Sequence, residues 1–147
     1  MQKLLPPTLF LICLIISALF HIGLPMFVLF DNLYHWLGIP LIAIGIYLAV
    51  SGSILFSTKE TNINTFKDPD KLVTTGLFRF SRNPMYLGFL LALIGAWWLM
   101  GSLSAGVGFV LFFSAANYWY IPFEEKRCLE IFGEDYRNYQ HSVRRWL

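Results

Sequence analysis

The sequence predicts an all-α membrane protein with about four transmembrane helices, because of its composition, its charge-free stretches and the positions of its basic residues. Of its 147 residues, 56% are hydrophobic and only 14% are charged, whereas soluble domains carry about 25% charged residues. A soluble fold of this size could not bury so much apolar surface, so lipid is the expected solvent. The length suits one membrane-embedded domain, which we place at residues 1–147.

Four stretches without Asp, Glu, Lys or Arg define the predicted helices. They are residues 9–30, 37–56, 85–100 and 103–121. A helix needs roughly 20 residues to cross about 30 Å of hydrocarbon, so the first two stretches are long enough. The last two are shorter and are separated only by Gly101 and Ser102, which predicts a tight helical hairpin.

The eleven Lys and Arg residues predict the orientation of these helices. One precedes the first helix, five lie in the loop 57–84, five lie in the tail 122–147, and none lies in the other two connections. The positive-inside rule places both termini and the loop in the cytoplasm, which makes a multi-pass protein, in the inner membrane if the source is bacterial. The N-terminal stretch has no small-x-small cleavage site, so we expect it to remain as a helix.

The loop and the tail are long enough to carry function, unlike the short outer connections. At the end of the loop, Asn83 suits a helix N-cap and Pro84 suits the first helical position. The third helix should therefore begin there, with the positive end of its dipole beside Arg79 and Arg82. The alternative is simply a capped helix with two arginines that extend to the membrane surface.

The tail predicts two short amphipathic helices. Pro122 should open the first, with Glu124 and Glu125 in its first turn, where acidic residues complement the helix dipole, and Gly133 should end it. The second should span residues 134–143. These helices either lie on the membrane or fold back as a lid over the loop. The His and Cys residues lack metal-ligand spacing, so we expect no metal. We also expect no nucleic-acid partner.

Two motifs resemble a known enzyme family. Residues 72–88, with Arg82-Asn83-Pro84-Met85-Tyr86 within them, resemble the signature of isoprenylcysteine carboxyl methyltransferases and their prokaryotic relatives, whose core is Arg-His-Pro-x-Tyr. The tail is similar to that family's closing segment, through Glu124, Glu125, Phe132, Gly133, Tyr136, Tyr139 and Val143. Phospholipid N-methyltransferases share a paired-glutamate signature. The resemblance covers about residues 55–147 and depends on both motifs, which flank the helical hairpin.

The resemblance implies S-adenosylmethionine as the methyl donor, bound on the cytoplasmic side in a cofactor pocket formed by the loop and the tail helices. The acceptor would be a lipophilic or membrane-associated small molecule. Carried over by position, the cofactor contacts would come from Lys71, Leu72, Val73, Phe78, Asn83, Pro84, Met85, Tyr86 and Glu124. We assign no catalytic residue, because the sulfonium charge already activates the donor and the protein mainly aligns the reactants.

Two departures from the family pattern bear on the site. Asn83 replaces the family's histidine but keeps the capacity to donate and accept hydrogen bonds. Tyr120 stands where the eukaryotic enzymes carry an arginine that contacts the substrate, so a carboxylate acceptor would lose its ionic partner. We expect Tyr120, Glu125 and Arg82 to contact the acceptor.

Two other functions stay open from the sequence. An NADPH-dependent membrane reductase of the sterol-reductase type would find basic partners for the extra phosphate, although the chain is short for that class. Those partners would be Lys67, Lys71, Arg79 and Arg82. A non-enzymatic small membrane protein, such as a four-helix transporter, usually carries an intramembrane carboxylate, which the four stretches lack. The acceptor atom and the oligomeric state stay undetermined.

Overall fold

The computed structural model describes residues 4–29, 33–59, 62 and 65–147, and these form an all-helical fold. In chain order the α-helices are α1 (Pro6–Gly23), α2 (Gly38–Thr58), α3 (Pro84–Met100), α4 (Val107–Ala115), α5 (Ile121–Phe132) and α6 (Glu134–Ser142). Three short 3₁₀ turns, Leu33–Leu37, Gly76–Arg79 and Leu103–Gly106, and a π-helical segment, Ala116–Tyr120, connect them. The prediction of an all-α fold is confirmed for the described residues.

The predicted bounds of the first helix, 9–30, were wrong at both ends. α1 begins earlier, at Pro6, because proline suits the first turn of a helix. It ends at Gly23, since Leu24 precedes Pro25 and a residue before proline disfavours helical backbone angles. The chain then runs along the turn that follows α3, where the Leu29 N–H donates to the Gly101 carbonyl (2.7 Å). Residues 1–3 and 30 lie outside the described residues.

Pro122 lies in the first turn of α5, as predicted, but no break separates this helix from the one before it, and the predicted helix 103–121 is divided differently. Helical structure continues from α4 through the π-helical segment into α5. Proline cannot donate the backbone hydrogen bond of an α-helix and clashes with the carbonyl four residues earlier. The wider π turn just before Pro122 relieves that conflict, so the chain passes it without a break.

Two segments are long and apolar enough to cross a membrane, by length and composition. They are α1 and the segment Leu33–Thr58, which contains α2. Large apolar side chains on both, among them Ile15, Leu19, Ile46 and Val50, are exposed to the surroundings of the protein. α3 is apolar but shorter, with 17 residues. The exposed apolar faces are those expected of helices in lipid.

α2 packs against α3 along a seam of small residues. A Cβ added at Gly45 would lie 2.5 Å from the Gly88 carbonyl oxygen, and one added at Gly88 would lie 2.5 Å from the Gly45 carbonyl oxygen. Backbone therefore meets backbone at this crossing, as small residues allow in membrane helix pairs. This contact fixes the beginning of α3, where the site residues lie, against α2.

A leucine at Gly45 should destabilise the fold, because its side chain would force α2 and α3 apart. Overpacking costs about 1–3 kcal/mol, so Gly45→Leu should lower the apparent melting temperature in detergent. Gly23→Leu is the matched control, since a Cβ there meets nothing within 4 Å. Equal melting temperatures for both variants would contradict the proposed seam.

Candidate active site

The loop and the tail are joined by a cluster of ion pairs around Glu125. One carboxylate oxygen, Oε1, accepts a hydrogen bond from Arg82 Nη2 at 2.8 Å, and the other, Oε2, accepts from Arg145 Nη2 at 2.6 Å. The Glu125 and Arg82 side chains are only 11% and 12% exposed. Buried charges of this kind are tolerated when they are paired and hydrogen-bonded, which Glu125 is at both oxygens.

Arg82 also holds the end of the chain against the start of α3. Its Nη1 donates to the backbone carbonyls of Gln140 (2.9 Å) and Val143 (2.8 Å). Its backbone N–H donates to the carbonyl of Arg144 at 3.0 Å. Arg82 Nε is buried and has no hydrogen-bond partner among the described residues. The lid arrangement, in which the tail folds back over the loop, is therefore the one observed.

Asn83 occupies the N-cap position of α3, but its side chain makes no capping hydrogen bond. Its Nδ2 instead donates to the Arg145 carbonyl at 3.0 Å, and its backbone N–H donates to Ser81 Oγ at 3.1 Å. The predicted capping role of the Asn83 side chain was wrong, because the folded tail offers that amide a partner. Pro84 nevertheless begins the helix as expected.

Glu124 has a different environment from its neighbour Glu125. Tyr86 Oη donates to Glu124 Oε1 at 2.9 Å, and the side chain of Thr65 forms a further hydrogen bond with the same carboxylate. Burial raises the pKa of Glu124 from an ordinary 4.5 to about 7, against the lowering effect of the Thr65 and Tyr86 hydrogen bonds, and the Glu125 charge adds to the rise. Glu124 therefore takes up or releases a proton near neutral pH.

A first cavity of about 120 Å³ lies between the loop and the tail. Its lining combines aromatic rings, both glutamates and several cations. It comprises Phe56, Asn62, Thr65, Lys67, Pro69, Lys71, Leu72, Val73, Phe78, Arg82, Asn83, Met85, Tyr86, Glu124, Glu125, Arg127, Cys128, Phe132, Tyr136 and Tyr139. It is open to solvent on one side, so part of a bound ligand would extend beyond it.

The structure brings together most of the residues predicted for the cofactor. Eight of the nine line the first cavity: Lys71, Leu72, Val73, Phe78, Asn83, Met85, Tyr86 and Glu124. Pro84 is buried in the first turn of α3 and lies outside the lining. Of the three residues predicted to contact the acceptor, Arg82 and Glu125 line this cavity, where they pair with each other.

Tyr120 lines neither this cavity nor the second one described below. It is only 2% exposed, and its hydroxyl donates to the Leu4 carbonyl at 2.7 Å. Its ring packs near those of Tyr86 and Phe66, with centroids 6.2 and 6.4 Å away. The Tyr120 hydrogen bond thus holds the N-terminal segment around Leu4 beside the site.

Several residues that line the first cavity were not predicted from the sequence to belong to the site. Tyr136 and Tyr139 were placed in the family's closing segment without a role at the site, yet both line the cavity, and Tyr139 Oη donates to the Phe78 carbonyl at 2.6 Å. Burial raises the pKa of the Cys128 thiol to about 12, so this lining residue stays protonated. Thr65 lies in the loop with no local motif around it, and only its tertiary contact with Glu124 reveals it.

A second cavity of about 380 Å³ adjoins the first. The two share Thr65, Met85, Tyr86 and Glu124. The other lining residues come from the start of α1, from α2 and from α3: Leu5, Pro6, Pro7, Ala49, Ser53 and Phe89. Its volume lies within the range of about 300–1,000 Å³ that is typical of ligand sites. Glu124 and Tyr86 therefore stand at the boundary between the two cavities, and among the described lining residues the lysines and arginines line only the first.

Comparisons with known proteins identify methyltransferases as similar to this chain. Residues 33–135 match the family described as phospholipid methyltransferase. The methanethiol S-methyltransferase of Pseudomonas deceptionensis is 36% identical over 115 residues, which cover 74% of this chain and 41% of that protein. A probable protein-S-isoprenylcysteine O-methyltransferase of Oryza sativa subsp. indica is 34% identical over 82 residues, covering 53% of this chain and 41% of that protein. Each alignment thus spans less than half of the relative's length. No solved structure matches the chain.

Replacing Glu125 by glutamine should loosen the tail, because Arg82 would be left buried with a weakened partner. Loss of one member of a buried ion pair costs about 3–5 kcal/mol. Glu125→Gln should therefore lower the apparent melting temperature and expose residues near the C-terminus to protease. Glu130→Gln is the matched control on the same helix, since Glu130 is 63% exposed and lies 3.9 Å from Lys126. Equal behaviour of the two variants would show that the ion cluster contributes nothing to stability.

Replacing Glu124 by glutamine should make the protein more stable relative to wild type as the pH rises. The raised pKa means that the folded protein binds the Glu124 proton more tightly than the unfolded chain, so this contribution to stability is present below pH 4.5 and is lost as pH rises through about 7. Relative to Glu124→Gln, wild type should lose about 2–3 kcal/mol between pH 5 and pH 8. Thermal unfolding at several pH values, with Glu130→Gln as control, measures the difference. A wild-type advantage that grows with pH would contradict the assignment.

Proposed function

This chain belongs to the phospholipid methyltransferase family, and on that premise we propose that it transfers a methyl group from S-adenosylmethionine to a lipophilic or membrane-associated small acceptor. The observation that carries the proposal is the first cavity, which the two family motifs line together. The loop motif contributes Arg82, Asn83 and Tyr86, and the tail motif contributes Glu124 and Glu125. The aligned regions cover 41% of each of the two relatives, so their full activities do not transfer to this chain. The proposal therefore depends on the residues of this chain.

The groups in the first cavity suit the methyl donor, which is a co-substrate with a sulfonium, an amino acid and an adenosine part. Arg82 Nε is a buried donor without a described partner, and a carboxylate would satisfy it. The carboxylates in the lining are hydrogen-bond acceptors for the ammonium or the ribose diol of the donor. The rings of Phe78, Tyr136 and Tyr139 offer faces to a cation or an adenine.

When bound, S-adenosylmethionine supplies a methyl group already activated by the positive sulfur. The protein then has to align donor and acceptor and exclude water. The ion pairs of Glu125 keep the tail over the cavity, and the hydrogen bonds of Tyr86 and Thr65 hold Glu124 at the boundary with the second cavity. These contacts orient the site before any ligand arrives.

The acceptor in this proposal has an apolar body. The named activities of the relatives concern methanethiol and isoprenylcysteine, and both acceptors carry a nucleophile on an apolar group. The second cavity is mostly apolar and offers room for such a group. A carboxylate acceptor is disfavoured in the second cavity, because neither Arg82 nor Arg145 lines that cavity and Tyr120 is bonded to Leu4.

The proposal also includes the orientation in the membrane. α1 and Leu33–Thr58 would cross it as two spans, and α3 and α4 with the π-helical segment would form a shorter hairpin. Residues 1–147 would form one domain, with both termini, the loop and the tail in the cytoplasm. Support comes from the basic residues, which flank the hairpin on the side of the site. The water-soluble donor would then reach the first cavity from the cytoplasm.

The purified protein should bind S-adenosylmethionine or its demethylated product more tightly than NADPH, as measured by calorimetry in detergent. Cys128→Trp should fill the first cavity and weaken this binding at least about tenfold, or about 1.4 kcal/mol. Ile131→Trp lies on the same helix but is 43% exposed and lines neither cavity, so it should change the affinity less than about twofold. Tight NADPH binding without a response to the adenosyl compounds would favour the reductase instead.

A further inference from the structure

Among the residues that the structure describes, Glu124 is the acidic side chain that lines both cavities. Resting on the proposed function, we infer that the second cavity holds the methyl acceptor, that this acceptor is a small apolar thiol, and that Glu124 removes its proton. The inference assigns a catalytic base, which the sequence did not indicate, and it narrows the acceptor to one chemical class.

The composition of the second cavity supports the assignment. Its described lining contains two ionisable side chains, Tyr86 and Glu124, and both stand at the boundary with the first cavity. The remaining walls, including Leu5, Pro6 and Phe89, are apolar or small. An apolar tail would occupy this space with its reactive end toward Glu124. The Tyr86 hydroxyl, 2.9 Å from Glu124 Oε1, fixes the direction of the carboxylate.

The charge of Glu124 favours an uncharged acceptor. A carboxylate acceptor would meet a second carboxylate in a buried place and be repelled. An ammonium acceptor would bring a second cation next to the positive sulfur of the donor. A thiol enters as a neutral molecule and needs to lose only one proton to become the stronger nucleophile. A base is most effective when its pKa is near the working pH, and the raised pKa of Glu124 meets that condition.

The proposed step balances with the two substrates alone. The S–H proton of the thiol passes to the Glu124 carboxylate, and a sulfur electron pair forms the new bond to the methyl carbon. The bond from that carbon to the donor sulfur breaks, and its electron pair stays on that sulfur, which becomes a neutral thioether. Glu124 then returns its proton to water through the open first cavity.

Other titratable groups face Glu124 and have to be considered in its pH dependence. Tyr86 lies on α3, and Glu125 and Cys128 lie on α5 with Glu124, while Tyr120 precedes that helix. Across the first cavity the lining also includes Lys67, Lys71, Arg82, Arg127, Tyr136 and Tyr139. The thiol of Cys128 and the phenol of Tyr139 have pKa values of about 12, far above the range near pH 7 in which Glu124 titrates.

The decisive experiment compares two thiols of different acidity at saturating S-adenosylmethionine. With butanethiol, the wild-type rate should rise with pH through about 7 as Glu124 loses its proton. Glu124→Gln should lose this rise and about 100-fold or more of the rate, whereas Glu124→Asp should retain the rise. With the more acidic thiophenol, the defect of Glu124→Gln should shrink to less than about tenfold, because less help from a base is needed. An equal defect with both thiols would overturn the role as base.

A second variant tests the cavity itself. Ser53 lines the second cavity but not the first, so Ser53→Leu should raise the KM for butanethiol severalfold or more while calorimetry shows unchanged binding of the demethylated donor. Ser57→Leu is the control on the same helix, since Ser57 is exposed and lines neither cavity, and it should leave the KM and the binding of the demethylated donor unchanged. Unchanged KM in Ser53→Leu would show that the acceptor binds elsewhere.

The outcome also separates this inference from the proposed function. Wild type that fails to bind the donor product would refute the proposed function. Wild type that binds it, but methylates acetyl-farnesylcysteine or phosphatidylethanolamine in preference to butanethiol, would refute only the thiol acceptor. Glu130→Gln serves throughout as the surface control, with rates expected within about twofold of wild type.

Discussion

The bridge from Glu125 to Arg82 and Arg145 is the interaction on which the rest of the site depends. Arg82 stands just before α3, and Glu125 lies in the second turn of α5, so the bridge fixes the ends of two helices relative to each other. Arg145 draws in the end of the chain and leaves its carbonyl to receive the Asn83 amide. An apolar cluster of Val73, Phe78, Tyr136 and Tyr139 also holds the tail, as does Trp146, which packs on Phe113 and donates to Asn117 Oδ1. The first cavity therefore exists because an acidic residue of the tail is shared between two arginines.

Two adjacent glutamates serve opposite purposes because successive residues of a helix point about 100° apart. Glu125 is turned toward guanidinium groups and stays fully paired. Glu124 is turned toward Tyr86, Thr65 and the two cavities, where burial disfavours its charge. A carboxylate held in such surroundings reduces stability at alkaline pH, and proteins usually retain such a cost only where function requires it. Under the proposed function, adjacent residues of α5 thus supply both the anchor of the lid and the reactive group beneath it.

Local signals predicted much of the fold. The bounds of α2, α3 and α6 followed closely from charge-free runs, from Pro84 and from Gly133, because these features act through neighbouring backbone. The first helix was predicted too long, since apolar composition was given more weight than Pro25. A lid over the loop was one of the two arrangements expected for the tail. Which glutamate would pair with the arginines was not predicted, because it depends on the rotation of α5. Thr65 and the second cavity depend on how α1, α2 and the loop meet, and no local pattern encodes that meeting.

Tyr120 lies near the site, as its position in the family motif implies, but its contacts differ from those expected. It lies one helical turn before Glu124, on the same face, so proximity to the site was a sound expectation. Its hydroxyl, however, is bound to Leu4, and the next residues, Leu5 and Pro6, form a wall of the second cavity. An arginine at this position could offer a charge to an acceptor, whereas the tyrosine places an apolar wall beside it. Under the proposed function, selection of the acceptor therefore depends on the shape of this wall and on the proton that Glu124 can accept.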